Sequence, residues 1–105
     1  MYSRAKKVDS TQAEVVRELR GLGYLVKSTA EVGRGWPDAV ACLPFSGNLW
    51  LIEIKAAKGK LLQSQIDLQA SGWPVVVLRS AADVIEFDRG VRRSMKPGKL
   101  NRPWP

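Results

Sequence analysis

Apolar residues along the chain fall into short segments whose spacing predicts alternating helices and strands. The first segment is expected to be a helix from Ser10 or Thr11 to about Leu22, because apolar residues recur at helical spacing after a hydroxyl residue suited to the N-cap. Its apolar stripe consists of Ala13, Val16, Leu19 and Leu22. Residues 24–29 follow as a first strand, since they include β-branched and aromatic side chains.

Two apolar runs, at residues 39–43 and 49–52, flank the turn-forming segment Pro-Phe-Ser-Gly-Asn. This pattern predicts a β-hairpin. If the hairpin is regular and antiparallel, Asp38 lies opposite Glu53, with Cβ atoms roughly 5 Å apart. Lys55 then lies on the same face as Glu53, because successive strand residues alternate faces. A β-bulge would shift this register.

The later segments complete an α/β pattern. A second helix is expected from Leu61 to about Ser71, and the uninterrupted apolar run at residues 75–78 predicts an inner strand. Residues 80–87 predict a short last helix. The order helix, strand, hairpin, helix, strand, helix predicts a mixed sheet of about four strands.

Both ends of the chain are basic and lie outside the predicted domain of residues 10–87. Residues 1–9 are polar and are expected to form a loose arm. Residues 88–105 are expected to form a weakly ordered tail. Its arginines and lysines can bind phosphates without reading bases.

Composition is that of an ordinary globular protein, with 105 residues, 45% hydrophobic and 26% charged. This length fits one domain with a modest core. No apolar run approaches ~20 residues, and no signal segment opens the chain. These features favour a cytoplasmic protein with no membrane partner. The single cysteine, Cys42, lies in a predicted strand and is expected to be a buried core thiol.

Charge and the absence of histidine narrow the chemistry. The net charge of +7, from 17 basic and 10 acidic residues, favours a polyanionic partner, nucleic acid first. A chain without histidine has no histidine general base, and the usual zinc ligands are missing. Any hydrolysis must therefore depend on carboxylates, lysine and a metal that prefers oxygen ligands.

The pair Asp38 and Glu53 suits such a metal. Facing acids in a sheet repel each other, and a divalent cation between them removes that penalty. Lys55 can hold a water or a developing anionic oxygen, which suits phosphodiester hydrolysis by metal-activated water. The alternative to a metal site is an ordinary turn at residues 35–38 and a solvated strand end at 53–55. Either motif alone is a weak indication of a metal site.

At this point the sequence resembles a known family. Gly35-x-Pro37-Asp38, Glu53-x-Lys55 and Gln65 resemble the core of the PD-(D/E)xK nuclease superfamily, most closely its VRR-NUC branch. The resemblance spans about residues 10–87. It implies a restriction-endonuclease-like αβββαβ(α) core and a metal-dependent DNA endonuclease that uses Mg²⁺ or Mn²⁺.

The resemblance also implies a role for each site residue. Asp38 and Glu53 would hold Mg²⁺ together with the main-chain carbonyl of Ile54. Lys55 would orient or help deprotonate the attacking water, and Gln65 would support the site. From its pattern alone, Gln65 would belong to a solvated helix face.

Glu14 and Trp36 have alternative interpretations. Thr11-x-x-Glu14 fits a capping box, whereas the resemblance makes Glu14, rather than Glu18, a member of the acidic cluster. Trp36 precedes a proline and is held extended. Its neighbours do not decide between packing on the sheet and contact with a substrate.

Several basic residues are candidates for DNA contact, namely Arg34, Lys58, Lys60, Arg92 and Arg93. Small stand-alone members of the branch, of bacterial or phage type, resemble homodimeric nucleases that cut branched DNA such as Holliday junctions. A homodimer is also favoured because the hairpin is apolar on both faces. Alternatives are a low-selectivity or flap-cutting nuclease and a non-catalytic nucleic-acid-binding module. The expected location is the cytoplasm of a bacterium or of a phage-infected cell.

Overall fold

The computed structural model describes residues 2–95, with side chains from Ser10 onward. It has the expected α/β class, with four strands in one mixed sheet. In chain order the elements are α1 (Tyr2–Gly21), β1 (Leu25–Ser28), β2 (Ala39–Cys42), β3 (Leu49–Ile54), α2 (Gln63–Ala70), β4 (Val75–Leu78) and α3 (Ala81–Ser94). The sheet order is β1-β2-β3-β4. The first three strands are antiparallel, and β4 runs parallel to β3.

The predicted hairpin register is confirmed. Ala39 pairs with Ile52 and Val40 pairs with Leu51, so the next positions along the two strands are Asp38 and Glu53. The amide of Lys55 donates to the carbonyl oxygen of Leu78 at 3.2 Å, which fixes the end of β3 to β4.

The core lies between one face of the sheet and the two long helices. Val15 and Leu19 of α1 and Val84 and Val91 of α3 are buried against it. The strand residues that face them are Val26, Ala39, Ala41, Ile52 and Leu78. Strand residues alternate faces, so Asp38, Val40, Leu51 and Glu53 belong to the opposite face, which we call the site face.

The first helix begins earlier than expected, at Tyr2 rather than at Ser10 or Thr11. Residues 2–9 contain neither glycine nor proline, so nothing in them stops a helix that tertiary packing already stabilises. The loose arm expected for residues 1–9 is therefore wrong for residues 2–9. The buried stripe also differs, because Val15 is buried and Ala13 is exposed.

The fourth strand was expected to be an inner strand, but β4 lies at the edge of the sheet. Its apolar run has a simple explanation: Leu78 is buried in the core and residues 75–77 are half-buried. An edge strand that is partly covered on both faces carries the same pattern as an inner one.

The last helix extends through Ser94, so residues 88–94 are helical rather than part of a loose tail. The hydroxyl of Tyr24 donates to Asp88 Oδ1 at 2.9 Å, and Arg92 Nε donates to the same oxygen at 2.9 Å. Arg92 Nη2 also donates to the carbonyl oxygen of Leu22 at 2.7 Å. Burial and the hydrogen bond to Asp88 raise the pKa of Tyr24. The remainder of the expected tail, residues 96–105, lies outside the described residues.

Cys42 is half-buried on the site face, so the expectation of a core thiol is wrong. Between residues 2 and 95, no helix is both long and apolar enough to cross a membrane.

Candidate active site

Asp38 is held by both strands that flank it. Its amide donates to the carbonyl oxygen of Ile52 at 3.0 Å, and its carbonyl accepts from the amide of Thr29 at 2.8 Å. Its side-chain Oδ2 accepts from the amide of Ile54 at 2.7 Å. The carboxylate is therefore fixed against the end of β3, beside Glu53.

Glu53 is a buried carboxylate with an incomplete set of partners. Only 3% of its surface is exposed. Its Oε2 accepts from Gln65 Nε2 at 2.8 Å, whereas its Oε1 is buried with no hydrogen-bond partner among the described residues. A buried polar oxygen without a partner is costly, so this oxygen is where a bound cation or a proton would lower the free energy.

The surroundings of Glu53 favour its protonated form. Burial raises the pKa of Glu53 to about 7, and the negative charge of Asp38 adds to the effect, while Lys55 opposes it. The Lys55 Nζ atom lies 3.8 Å from Glu53 Oε2, which is long for an ion pair. The single positive charge of Lys55 therefore does not neutralise the two negative charges of Asp38 and Glu53.

Gln65 connects the second helix to the site. Its Nε2 donates to Glu53, and its Oε1 accepts from the amide of Leu62 at 2.8 Å, at the start of α2. Gln65 is the one buried residue of α2. Both ends of its amide group are engaged, so the Glu53 carboxylate has a fixed neighbour.

The donor set fits a magnesium-type cation. Asp38 and Glu53 provide carboxylate oxygens, and Glu53 Oε1 is buried without a partner. Among the side chains of residues 10–95, no three Asp, Glu or Cys groups come close enough to hold a metal. Mg²⁺ is usually bound by one or two carboxylates, with waters and substrate phosphates completing its shell. Two carboxylates are therefore sufficient for such an ion.

Glu14 does not have either of the two roles expected for it. Because α1 begins at Tyr2, Glu14 does not close a capping box at the start of its own helix. It also forms no metal-binding group with Asp38 and Glu53 among the described residues. Its Oε2 instead accepts from the amide of Ala81 at 2.9 Å, where a negative charge stabilises the N-terminus of α3.

The basic residues expected to contact DNA fall into two groups. Arg34, Lys58 and Lys60 are exposed in loops next to β2 and β3. Arg92 and Arg93 lie on α3, which packs on the core face of the sheet, so the structure does not bring them to the two carboxylates. Arg92 is also engaged with Asp88 and with the end of α1. These contacts join α3 to the end of α1.

Arg79 is a residue near the site that the sequence did not indicate. Its Nη1 donates to the carbonyl oxygens of Ala56 at 2.8 Å and Gly59 at 2.6 Å. These bonds hold the loop that follows Lys55 and carries Lys58 and Lys60. No local sequence pattern signals this contact, because Arg79 is 20 residues from Gly59.

In comparisons with known proteins, the chain matches no family model, no curated protein and no solved structure. A function for this chain is therefore inferred from its own residues.

Proposed function

We propose that the chain is a metal-dependent DNA endonuclease of the PD-(D/E)xK type, related to the VRR-NUC branch. The observation that carries this proposal is the Glu53 carboxylate, buried beside Asp38 with one oxygen lacking a partner. Burial and the adjacent charge of Asp38 both raise the pKa of Glu53, so this pair of acids is unfavourable for a fold that binds no ligand there. A cation between them would offset both the repulsion and the missing hydrogen bond.

The residues of the chain have distinct tasks in this proposal. Asp38 and Glu53 would hold Mg²⁺ or Mn²⁺, and the resemblance adds the Ile54 carbonyl to these ligands. When bound, the metal supplies a water of lowered pKa and neutralises charge on the phosphate. Lys55 holds a positive charge beside Glu53 and stabilises negative charge that develops on the phosphate oxygens. Gln65 keeps the Glu53 carboxylate in one orientation.

The charge of the chain supports DNA as the substrate. The net charge is +7, and Arg34, Lys58 and Lys60 are exposed in the loops next to β2 and β3. Contacts from such residues to phosphates carry no sequence information, so selectivity rests on DNA shape. We place this activity in the cytoplasm of a bacterium or of a phage-infected cell, where DNA is accessible.

A cleavage assay tests this proposal directly. Four-way junctions, flaps, single strands and linear duplexes are incubated with the full chain and Mg²⁺ or Mn²⁺, and with a chelator as the control. Metal-dependent cleavage that favours branched DNA is expected. Equal cutting of all substrates indicates a low-selectivity nuclease. Binding without cleavage under any metal indicates a non-catalytic binding module and contradicts the proposal.

The site face also supports a homodimer as the active unit. The two long helices cover only the core face of the sheet. Leu25, Phe45 and Leu49 are exposed. A groove of about 420 Å³ on this side is lined mainly by apolar side chains, among them Leu25, Val40 and Leu49. A two-fold dimer would cover such a surface and provide two symmetric cuts on a four-way junction.

Light scattering at micromolar concentration tests the dimer. The wild-type chain is expected at twice 11.6 kDa, and Leu49→Glu, which places a charge on the apolar surface, is expected at the monomer mass. Ile85→Glu, at an exposed position of α3 on the other side of the sheet, is the matched control. A wild-type monomer that remains monomeric on junction DNA would remove the resolvase interpretation and leave a nicking nuclease.

A further inference from the structure

Two tryptophans form an aromatic pair that the proposed hydrolysis does not use. The ring centroids of Trp36 and Trp73 lie 5.4 Å apart at an interplanar angle of 80°, which is an edge-to-face contact. Trp36 is half-buried, and 49% of the surface of Trp73 is exposed. The Trp73 ring is therefore partly exposed to solvent and packs against the half-buried Trp36 ring.

The loop before β2 fixes the pair relative to the candidate active site. Gly35 has a φ of 79°, and a Cβ atom at this position would collide with the side chain of Ser64 at the start of α2. The amide of Trp36 donates to the carbonyl oxygen of Gly33 at 3.0 Å, and Pro37 is fully buried. The backbone of Trp36, two residues before Asp38, is therefore held in one conformation.

The pair lies on the same side of the sheet as the two carboxylates. The start of α2 lies over this side, because Gln65 donates to Glu53. The loop that carries Trp36 packs against the same helix start through Gly35, and it leads directly into β2. The Trp73 ring contacts Trp36, so the exposed aromatic surface adjoins the loop that enters the candidate active site.

We propose that the Trp36–Trp73 pair is a stacking site for an unpaired nucleobase next to the scissile phosphate. This inference rests on the proposed nuclease function and names its substrate class, DNA with unpaired nucleotides at the cut. Every nucleobase has a flat face that stacks on an aromatic ring. In a duplex these faces are already covered by neighbouring bases, so a fully paired substrate gains nothing from the exposed ring.

A binding experiment without metal tests the stacking site independently of cleavage. The full chain is titrated into three fluorescently labelled DNAs: a fully paired duplex, a duplex with a short unpaired bulge, and the same bulge with abasic residues. The abasic residues keep the phosphates and remove the bases. Trp73→Ala is expected to weaken binding of the bulged DNA roughly 5- to 150-fold, the range for one stacked base, and to leave the paired duplex unchanged.

The abasic DNA provides a second, independent readout. If base and ring form one contact, removal of the base should weaken binding to the wild-type chain and have little further effect in Trp73→Ala, because both changes remove the same interaction. Trp73→Phe keeps an aromatic ring and is expected to retain most of the preference for the bulge. Ile85→Ala removes an exposed apolar side chain from α3, on the other side of the sheet, and is expected to leave the preference unchanged.

Two results would overturn the stacking site. One is an equal loss of affinity for paired and bulged DNA in Trp73→Ala, which indicates a structural role. The other is that the abasic residues weaken binding to Trp73→Ala as much as they weaken binding to the wild type, while the melting temperature of Trp73→Ala is unchanged. A chain that shows the expected preference yet cleaves no DNA with any metal would retain the stacking site and lose the nuclease function. Absence of DNA binding by the wild-type chain would overturn both.

Discussion

The side-chain amide of Gln65 donates to the buried Glu53 carboxylate at 2.8 Å and thereby joins the start of α2 to the end of β3. No other residue of α2 is buried, and the exposed Gln69 makes a second polar contact with the sheet by donating to the carbonyl oxygen of Val75 at 3.3 Å. The contact from Gln65 fixes the residue that we propose as a metal ligand. Gln65 therefore couples the position of α2 to the geometry of the site.

Replacement of Gln65 should reduce both stability and cleavage. Gln65→Ala leaves a buried carboxylate without its hydrogen bond, at an expected cost of about 1–3 kcal/mol in the free energy of unfolding. Urea denaturation measures this cost. Gln63→Ala, an exposed glutamine on the same helix, is the matched control and should change stability by less than about 0.5 kcal/mol. Equal effects of the two variants would contradict the role of Gln65.

Neutralisation of either acid should abolish cleavage and leave DNA binding intact. Asp38→Asn and Glu53→Gln remove ligands of the proposed metal, and cleavage is expected to fall by roughly a hundredfold or more. Without metal these variants should be as stable as the wild type or more stable, because the repulsion between the acids is removed. Rates on junction DNA with Mg²⁺ provide the measurement.

Asp67→Asn is the control for the two acids. Asp67 is an exposed acid on α2 and has no place in the proposed metal site, so its replacement should leave the cleavage rate unchanged. Cleavage at the wild-type rate by Asp38→Asn or Glu53→Gln would exclude the assigned site.

Stability should fall as the pH rises from about 4.5 to about 7 in the absence of metal. The pKa of Glu53 is raised from 4.5 to about 7 in the folded protein, so in this range the unfolded chain releases a proton that the folded chain retains. The unfolded state is therefore favoured progressively, and above the folded pKa the loss is complete. The total loss is of the order of 3 kcal/mol.

Chemical denaturation at several pH values tests this dependence. Glu53→Gln should flatten the curve, because the group that titrates is removed. Saturating Mg²⁺ should raise stability most at the upper end of the range, where the carboxylate is ionised and binds the cation. A wild-type curve that rises across this range, after comparison with Glu53→Gln, would refute the raised pKa.

Arg34 should be unfavourable for folding and favourable for DNA binding. It has a φ of 53°, between two glycines that are also in the left-handed region, and a side chain there costs about 1 kcal/mol or more relative to glycine. Arg34→Gly is therefore expected to stabilise the fold by up to about 1 kcal/mol. It should also weaken DNA binding and lower the slope of log K against log salt by about 0.9, if Arg34 contacts one phosphate.

Arg34→Lys is the control that keeps the charge in the same backbone conformation. It should retain the salt slope and show no gain in stability. An unchanged salt slope in Arg34→Gly would mean that this arginine does not touch the DNA backbone.

The parts of the fold that the sequence predicted depend on local patterns. The hairpin register follows from two apolar runs and the turn between them, and it places Asp38 beside Glu53. The contacts that sequence reasoning missed join residues far apart in the chain. Glu14 and Ala81 are separated by 67 residues, and Leu22 and Arg92 by 70 residues. A local pattern cannot show which distant amide or carbonyl a side chain will meet, so the sequence did not reveal that Glu14 contacts the start of α3 or that Arg92 contacts the end of α1.

The packing of α1 against α3 has a consequence for synthesis of the protein. These helices come from opposite ends of the described chain, and Val91 of α3 belongs to the same core cluster as Val15 of α1. During translation, the apolar side of the first helix therefore has no complete partner surface until α3 has emerged from the ribosome. Contacts of such long sequence separation form slowly, and exposed apolar surfaces of unfinished chains aggregate and are degraded. A nascent chain that stops within α3 should therefore be degraded by cellular proteases. Only chains that contain the whole of α3 would accumulate as folded protein.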